Sequence, residues 1–159
     1  MGLFVDTQNL YYAARDGFER NVDYRRLLLT AVRERRLAQA TAYVVERDAG
    51  AYGFITKLST LGYRVRRRKL RVHRADEEGN RVLEGDWDMG IAADMVRAWP
   101  HLDVISLASG DADFVPLLEV AQERGVRVEV LAFRDSVGQA LIDLADSFVD
   151  LGEVHDIFV

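Results

Sequence analysis

Aspartates follow two apolar runs of this sequence, and their side chains are the best candidates for chemistry. Asp6 comes directly after the run 2–5, and Asp111 and Asp113 follow the run 104–108. Two carboxylates about 4 Å apart repel by roughly 1 kcal/mol in water and by about 4 kcal/mol at an effective dielectric of 20. A cluster of carboxylates at the ends of buried strands therefore indicates a divalent-cation site, and a hard cation on oxygen ligands suggests phosphate chemistry.

A third acidic segment, Asp86-Trp87-Asp88, opens a helical pattern. Asp88 is the stronger candidate for the site, although it could also cap the helix, and Asp86 could lie in solvent. Asp94 lies six residues after Asp88, which places it about 120° away around an ideal helix. The two side chains cannot share one contact direction without other residues. Asp94 is therefore either a supporting carboxylate or the partner of a buried donor.

Helix capping is the simpler explanation for some of these residues. Asp6 or Thr7 could cap the first helix, and Asn9 is placed to orient Asp6 or a bound water. Asp113 could cap a later helix while Asp111 lies in solvent. Capping accounts for one of these two carboxylates but not comfortably for both, which favours a functional role at the second position.

Apolar runs and helical stripes alternate along the whole chain, and this alternation decides the predicted fold class. Strands are predicted at 2–5, 41–45, 63–72, 104–108, 126–132 and 148–151, with 81–83 as a short hairpin arm. Helices are predicted at 9–18, 24–32, 52–61, 87–99, 113–124 and 136–145. The helix at 87–99 is apolar nearly all round, so we expect it to be well buried.

This order of elements predicts an α/β fold, a three-layer sandwich with a mainly parallel central sheet covered by helices on both faces. With 159 residues and no linker or repeat, the chain 1–159 is predicted to be one domain. Ligands of such sheets bind at the carboxyl ends of strands, near a switch in strand order. Asp6 and Asp111 both follow predicted strands, so we expect them to meet at one edge.

Composition excludes several classes of site. The chain has no cysteine, which rules out disulfides, zinc–thiolate sites and cysteine nucleophiles. Its three histidines share no motif. No apolar run reaches the ~18 residues that span a membrane, and Asp6 arrives before a signal peptide could form. We expect a cytoplasmic protein.

The net charge of −5 argues against a nucleic-acid partner, but its distribution argues for one. The segment 64–74 carries seven positive charges, and the rest of the chain has a balance of −12. The cations of this segment would contact phosphates, and Tyr63 could stack on a base. The alternatives are an edge strand protected by charge, or contact with the protein's own acidic surface, with an acidic partner or with a second subunit in a homodimer. The predicted nucleic-acid-binding residues are Arg64, Arg66, Arg67, Arg68, Lys69, Arg71 and Arg74.

Aromatic residues accompany the acidic motifs. Tyr11, Tyr12 and Phe18 lie near Asp6 and could form a stacking wall, although core packing is the commoner use of such residues. Trp87 is predicted to be a packing anchor for the turn that carries Asp88.

Three motifs of the sequence, in this order, resemble the NYN domain family and more closely its bacterial LabA-like (DUF88) branch. They are Phe4-Val5-Asp6-Thr7-Gln8-Asn9-Leu10, Gly85-Asp86-Trp87-Asp88-Met89-Gly90-Ile91-Ala92-Ala93-Asp94-Met95 and Ser109-Gly110-Asp111-Ala112-Asp113-Phe114. The segment 144–151 is similar to the closing segment of the family, so the resemblance covers essentially the whole chain. It implies a PIN-like (Rossmann-like) fold and metal-dependent ribonuclease activity on RNA, here expected to be single-stranded.

The resemblance also implies roles for individual residues. The acidic residues that match the catalytic, Mg²⁺- or Mn²⁺-holding positions of the family are Asp6, Asp88, Asp111 and Asp113. Supporting positions are Asn9, which matches the polar residue after the first aspartate, and Ser109, which matches the hydroxyl ahead of the last pair.

One departure concerns Glu84, because many relatives carry a basic residue just before the Gly-Asp-Trp-Asp segment. Arg81 or the segment 64–74 could supply that cation instead. The alternative function is therefore a catalytically weak or inactive module that binds RNA or a protein partner in regulation. A third hypothesis is a small-molecule phosphohydrolase. The basic segment argues against it, because a small substrate would not need so many positive charges.

Overall fold

The structure, a computed structural model, describes residues 1–46, 51–69, 71–72, 83–84 and 87–159, and at 71–72 and 83–84 the backbone alone. Arg74, Arg81 and Asp86 lie outside these described residues, so their predicted roles stay predictions. The same holds for the side chains of Arg71 and Glu84.

The centre of the fold is a six-stranded sheet in which every pair of neighbouring strands is parallel. Its strands are β1 (Gly2–Asp6), β2 (Gln39–Glu46), β3 (Arg64–Lys69), β6 (Val104–Ala108), β7 (Arg127–Ala132) and β8 (Ser147–Asp150), in the order β3-β2-β1-β6-β7-β8. Two short strands, β4 (Arg71–Val72) and β5 (Leu83–Glu84), pair antiparallel in a separate sheet. The helices are α1 (Thr7–Phe18), α2 (Tyr24–Val32), α3 (Ala51–Thr60), α4 (Asp88–Ala98), α5 (Val115–Glu123) and α6 (Gln139–Leu144).

Helices cover both faces of the sheet, as the alternation of elements predicts. Neighbouring residues of β1 point to opposite faces, so Leu3 and Val5 join one core and Phe4 joins the other. The first core takes Leu10 from α1, Leu27 from α2 and Leu58 from α3. The second takes Ile91 from α4, Leu118 from α5 and Leu141 from α6. The predicted three-layer α/β fold is therefore confirmed.

The strand order reverses between β1 and β6. From β1 the chain winds outward through β2 and β3, and it then returns to β6, which pairs with the other side of β1 in the register Val5 to Ala108. The carboxyl ends of these two central strands consequently lie side by side. This is the switch in strand order at which open α/β sheets bind ligands.

Helix α4 differs from its prediction. Ile91 and Met95 are fully buried, but Met89 is 80% exposed and Val96 is 43% exposed. The helix lies on the outside of one layer, so only the stripe that faces the sheet is covered. The prediction that this helix is well buried was wrong on its outer side, where Met89, Ala93 and Val96 are exposed.

The predicted strand 63–72 is also shorter than expected. β3 ends at Lys69, and Arg71 belongs to the separate antiparallel pair. There Arg71 pairs with Glu84, one residue beyond the hairpin arm predicted at 81–83. Tyr63 precedes β3 and is buried, and its hydroxyl donates to the Tyr24 carbonyl oxygen over 2.9 Å. The expectation that Tyr63 stacks on a base was therefore wrong, since its ring belongs to the core.

Candidate functional site

Asp6 ends β1 and caps α1. Its Oδ1 accepts from the Asn9 N–H over 3.1 Å, and its Oδ2 accepts from the Ser109 hydroxyl over 3.4 Å. The residue is only 8% exposed. Burial raises the pKa of Asp6, the N–H groups of Asn9 and Gln8 oppose that rise, and the charge of Asp111 adds to it. Capping is thus one role of Asp6. Keeping its buried carboxylate ionised beside Asp111 costs free energy, which a bound cation would offset.

The turn after β6 is held against the first turn of α1. The Asn9 Oδ1 accepts from the Gly110 N–H over 2.8 Å, and the Ser109 Oγ accepts from the Asp111 N–H over 3.3 Å. A Cβ at Gly110 would lie 3.1 Å from the Ser136 carbonyl oxygen, a distance that leaves little room for any side chain. Asn9 and Ser109 therefore fix the position of Asp111 relative to Asp6.

Asp111 and Asp113 take different positions in the short 3-10 helix Ala112–Phe114. Asp111 is its N-cap, and its Oδ1 accepts from the Asp113 N–H over 2.9 Å. Asp111 is the capping carboxylate of this pair, whereas the sequence suggested Asp113. The Asp113 side chain is exposed and does not line the pocket described next.

A pocket of about 580 Å³ opens at the carboxyl ends of β1, β6 and β7. Its acidic lining residues are Asp6, Asp16, Asp88, Asp111 and Asp135. Gln8 and Asn9 add amide groups, and none of the described residues that line it is basic. We call this cavity the acidic pocket. It brings together three of the four predicted catalytic aspartates, Asp6, Asp88 and Asp111.

Two acidic residues of the pocket were missed in the sequence. Asp135 lies three residues after β7, so the rule applied to Asp6 and Asp111, a carboxylate just past an apolar strand, could have found it. Asp16 is an exposed residue of α1, a helix that lines the pocket from its first turn to its last. No pattern in the sequence distinguished Asp16 from a solvated helix residue.

The donor chemistry of the acidic pocket fits a hard divalent cation of the Mg²⁺ type. Within the described ranges, no three acidic or histidine side chains form a group that could enclose an ion. Mg²⁺ does not require such a cage, because it keeps several waters and is usually held by one or two carboxylates together with substrate phosphates. The charge of Asp111 contributes to the raised pKa of Asp6, so the two carboxylates lie close together. Asp6 and Asp111 are therefore the two carboxylates that fit such an ion.

Asp94 lies apart from the acidic pocket. It accepts from the Tyr43 hydroxyl over 2.9 Å and forms ion pairs with Arg66 and, over 3.3 Å, with Arg97. Burial raises the pKa of Asp94, but the hydrogen bonds from Arg66 and Tyr43 and the nearby positive charges outweigh it and leave that pKa lowered. Of the two roles open in the sequence, Asp94 takes that of partner to a buried donor.

The basic strand β3 is the edge strand of the sheet. Arg64, Lys69 and Arg67 are exposed, although the Arg67 Nε lies 3.6 Å from a carboxylate oxygen of Glu46. The Arg68 guanidinium carbon lies 4.5 Å from the centre of the Trp87 ring. Part of the positive charge of β3 therefore has protein partners, and part of it faces solvent.

Trp87 connects the basic strand to the acidic pocket. Trp87 is 7% exposed, and its Nε1 donates to the Val44 carbonyl oxygen over 3.0 Å. These two observations confirm its predicted role as a packing anchor. The guanidinium carbons of Arg66 and Arg68 lie 5.4 and 4.5 Å from the centre of its ring. The residue also lines the acidic pocket, as Asp88 does. The strongest positive segment and the acidic cluster thus adjoin each other.

Comparisons with known proteins agree with this arrangement. The family described as "NYN domain" matches residues 1–152. The low amplitude and bright protein LabA of Synechococcus elongatus is 26% identical over 98% of this chain and 85% of its own length. A crystal structure of a Vibrio parahaemolyticus protein of unknown function, VPA0982, is 33% identical with a TM-score of 0.85 and covers 99% of this chain and 93% of that one. An uncharacterized protein of Methanocaldococcus jannaschii, MJ0482, is 33% identical over 46% of this chain and 31% of its own length. In the described part of the chain, no helix has the length and apolar character to cross a membrane.

Proposed function

The chain belongs to the NYN domain family, and on that premise we propose that it is a metal-dependent ribonuclease that cleaves single-stranded RNA. The observation that carries the proposal is the convergence of Asp6 and Asp111 from two central strands into one acidic pocket at the switch in strand order. Phosphodiester hydrolysis builds up negative charge, and a cation held by these carboxylates would neutralise it.

Asp6 and Asp111 would hold Mg²⁺ or Mn²⁺, with Asp88 on the neighbouring wall of the pocket. When bound, the ion lowers the pKa of water and offsets charge on the phosphate. Ser109 donates to Asp6 and so orients that carboxylate, while Asn9 holds the turn that carries Asp111. Asp113 is proposed only as a contributor to the charge around the pocket.

The basic strand supports RNA as the substrate class. A polymer with one phosphate in the acidic pocket would continue past Trp87 to β3, where Arg64 and Lys69 are exposed. Each phosphate contact to a single strand contributes about 0.7 to the salt dependence of binding. A small-molecule substrate would leave these cations without a role in recognition.

The variant Asp111→Asn tests the proposal. Asparagine can still cap the 3-10 helix, so the fold should persist, and RNA cleavage in Mg²⁺ or Mn²⁺ should fall at least about 100-fold. The matched control is Asp103→Asn, an exposed aspartate at the opposite end of the same strand β6, which should leave cleavage unchanged. RNA binding by pure wild-type protein without any metal-dependent cleavage would refute the ribonuclease and favour the regulatory binding module.

A further inference from the structure

A second pocket, of about 600 Å³, opens beside the acidic pocket at the carboxyl ends of β1 and β2, between α1 and α3. Its volume lies within the roughly 300–1,000 Å³ of small-ligand sites. The aromatic residues that line it are Tyr11, Tyr12, Tyr24 and Phe54. Two cations, Arg15 and Lys57, also line it, and none of its described lining residues is acidic. We call it the aromatic pocket.

The two pockets share a wall, because Gln8 and Tyr12 line both of them. Their chemistry is opposite: one presents carboxylates, and the other presents rings and positive charges. A nucleotide chain has matching alternation, with phosphates that need neutralisation and bases that stack on aromatic rings. A strand with one phosphate in the acidic pocket would place the adjoining nucleotide at the aromatic pocket.

Tyr11 has the geometry of a stacking platform. Its ring meets the Tyr12 ring edge to face, with centres 5.5 Å apart and planes at 69°. The Arg15 Nη1 donates to the Tyr11 hydroxyl over 3.1 Å. These contacts hold the ring while 40% of the residue stays exposed. The deeper wall is the pair of Tyr24 and Phe54, whose ring centres are 5.1 Å apart.

We propose that the aromatic pocket holds the base and ribose of the nucleotide next to the cleaved phosphate, with Tyr11 as the stacking residue and Arg15 and Lys57 beside its phosphates. The inference rests on the proposed ribonuclease function and extends it with a base-binding subsite. Among the residues found in the sequence, Tyr11 and Tyr12 gain a role in substrate binding, while Phe18 packs on Phe133 and Phe158.

The test is a binding assay in Ca²⁺, which binds carboxylate oxygens and so relieves the repulsion between the acidic pocket and a phosphate, with a gel to confirm that the strands stay intact. Fluorescence anisotropy compares a short labelled oligouridylate with an abasic strand of the same length. Tyr11→Ala should weaken binding of the oligouridylate about 5- to 150-fold, the range for loss of stacking on one base, and leave the abasic strand unchanged. Arg15→Gln should weaken both strands and reduce the salt slope by about 0.7.

The matched control is Tyr52→Ala, which removes a tyrosine that is 72% exposed on α3 and does not line the pocket. It should leave both affinities unchanged. Equal weakening of both strands by Tyr11→Ala, or no weakening at all, would overturn the subsite, as would failure of the wild type to bind the oligouridylate. The ribonuclease proposal fails separately, through absence of cleavage in Mg²⁺ or Mn²⁺, because the binding assay requires no cleavage.

Discussion

The substitution Asp6→Asn removes one negative charge from the acidic pocket and keeps the shape of the side chain. Asparagine caps helices about as well as aspartate does, so the bond from the Asn9 N–H can persist. Its amide group can also face the Ser109 hydroxyl. The change therefore isolates the charge of Asp6, whose pKa is raised chiefly by burial and further by Asp111.

A carboxyl group whose pKa is higher in the folded protein than in the unfolded chain costs stability whenever it is ionised. That cost is absent below the unfolded pKa and appears in full as pH rises through the folded pKa. At pH 7, Asp6→Asn removes the cost of burying one charge and its repulsion from Asp111. It also loses a favourable interaction of about 0.3–1 kcal/mol between the carboxylate and the N-terminus of α1. We expect a net gain of about 1 kcal/mol and a rise in Tm of about 2–4 °C.

The assay is thermal unfolding of wild type and variant in EDTA across a pH series. The difference in Tm should be largest near neutral pH and should vanish as pH falls below the ordinary aspartate pKa of 3.8. A divalent cation should then reverse the order. At 100 times its Kd, a ligand adds about 2.7 kcal/mol to a protein that binds it, and the variant has lost half of the carboxylate pair that would hold it.

The matched control is Asp23→Asn, which changes the N-cap of α2, an aspartate outside the acidic pocket that accepts from the Arg25 and Arg26 N–H groups. Its Tm should stay close to that of the wild type and should respond to Mg²⁺ as the wild type does. If Asp6→Asn lowers Tm in EDTA at pH 7, or if both proteins gain equally from Mg²⁺ or Mn²⁺, the reasoning about charge in the pocket is refuted.

Three other substitutions test separate parts of the structure. Arg35→Ala removes two hydrogen bonds of 2.8 Å from the buried Glu129, which keeps longer contacts to Ser106 and Arg127. Tm should therefore fall by roughly 4–8 °C, or about 2 kcal/mol. Burial raises the pKa of Glu129, but the hydrogen bonds and charge of Arg35 outweigh burial and leave that pKa lowered. The stability that Arg35 contributes is therefore lost as Glu129 is protonated, and the destabilisation should shrink as pH falls below about 4.5. Gly90→Ala places a Cβ 2.5 Å from the Trp87 ring; stability should drop by about 1–3 kcal/mol and tryptophan fluorescence should shift to the red. Arg64→Gln should lower the salt slope of RNA binding by about 0.7.

Each of these variants has a control of the same chemical type. Arg36→Ala removes the exposed neighbour of Arg35 and should change Tm little. Gly53→Ala adds a Cβ that meets nothing within 4 Å in the exposed part of α3 and should stabilise by about 0.5–1 kcal/mol. Arg124→Gln removes an exposed cation at the end of α5, just before the amino-terminal end of β7, and should leave the salt slope unchanged. Equal effects of a variant and its control would contradict the corresponding explanation.

The sheet and the ends of its central strands could be predicted from the sequence because their signals are local. The core strands are mostly apolar, as is usual for parallel strands buried on both faces, although β7 includes the buried Glu129. Asp6 and Asp111 could be placed at strand ends for the same reason. To predict that Asp6 and Asp111 lie close together, one must also know the order of the strands in the sheet. The general rule that ligands bind where the strand order switches was enough for this prediction, even though the pairing of the strands was unknown.

Features that depend on pairing between distant residues were not predictable. One partner of Asp94 is Arg66, and nothing near either residue in the sequence indicates that these two side chains meet. In the sequence, Tyr63 directly precedes the basic segment, which suggested a role in binding. In the structure its hydroxyl donates to the Tyr24 carbonyl oxygen at the start of α2, and its ring belongs to the core. Met89 and Val96 match a buried helical stripe in type and spacing, and only the packing of α4 shows that they lie outside.

The pairing of β1 with β6 also determines when the acidic pocket can exist during synthesis. Asp6 is made early, but its partners Ser109 and Asp111 follow about a hundred residues later in the chain. At about 5–20 residues per second, that interval is roughly 5–20 s. A nascent chain on the ribosome therefore holds half a pocket while the messenger RNA is close by. Until the second half has folded, the emerging chain lacks the pair of carboxylates that would hold the ion on which the proposed ribonuclease activity depends.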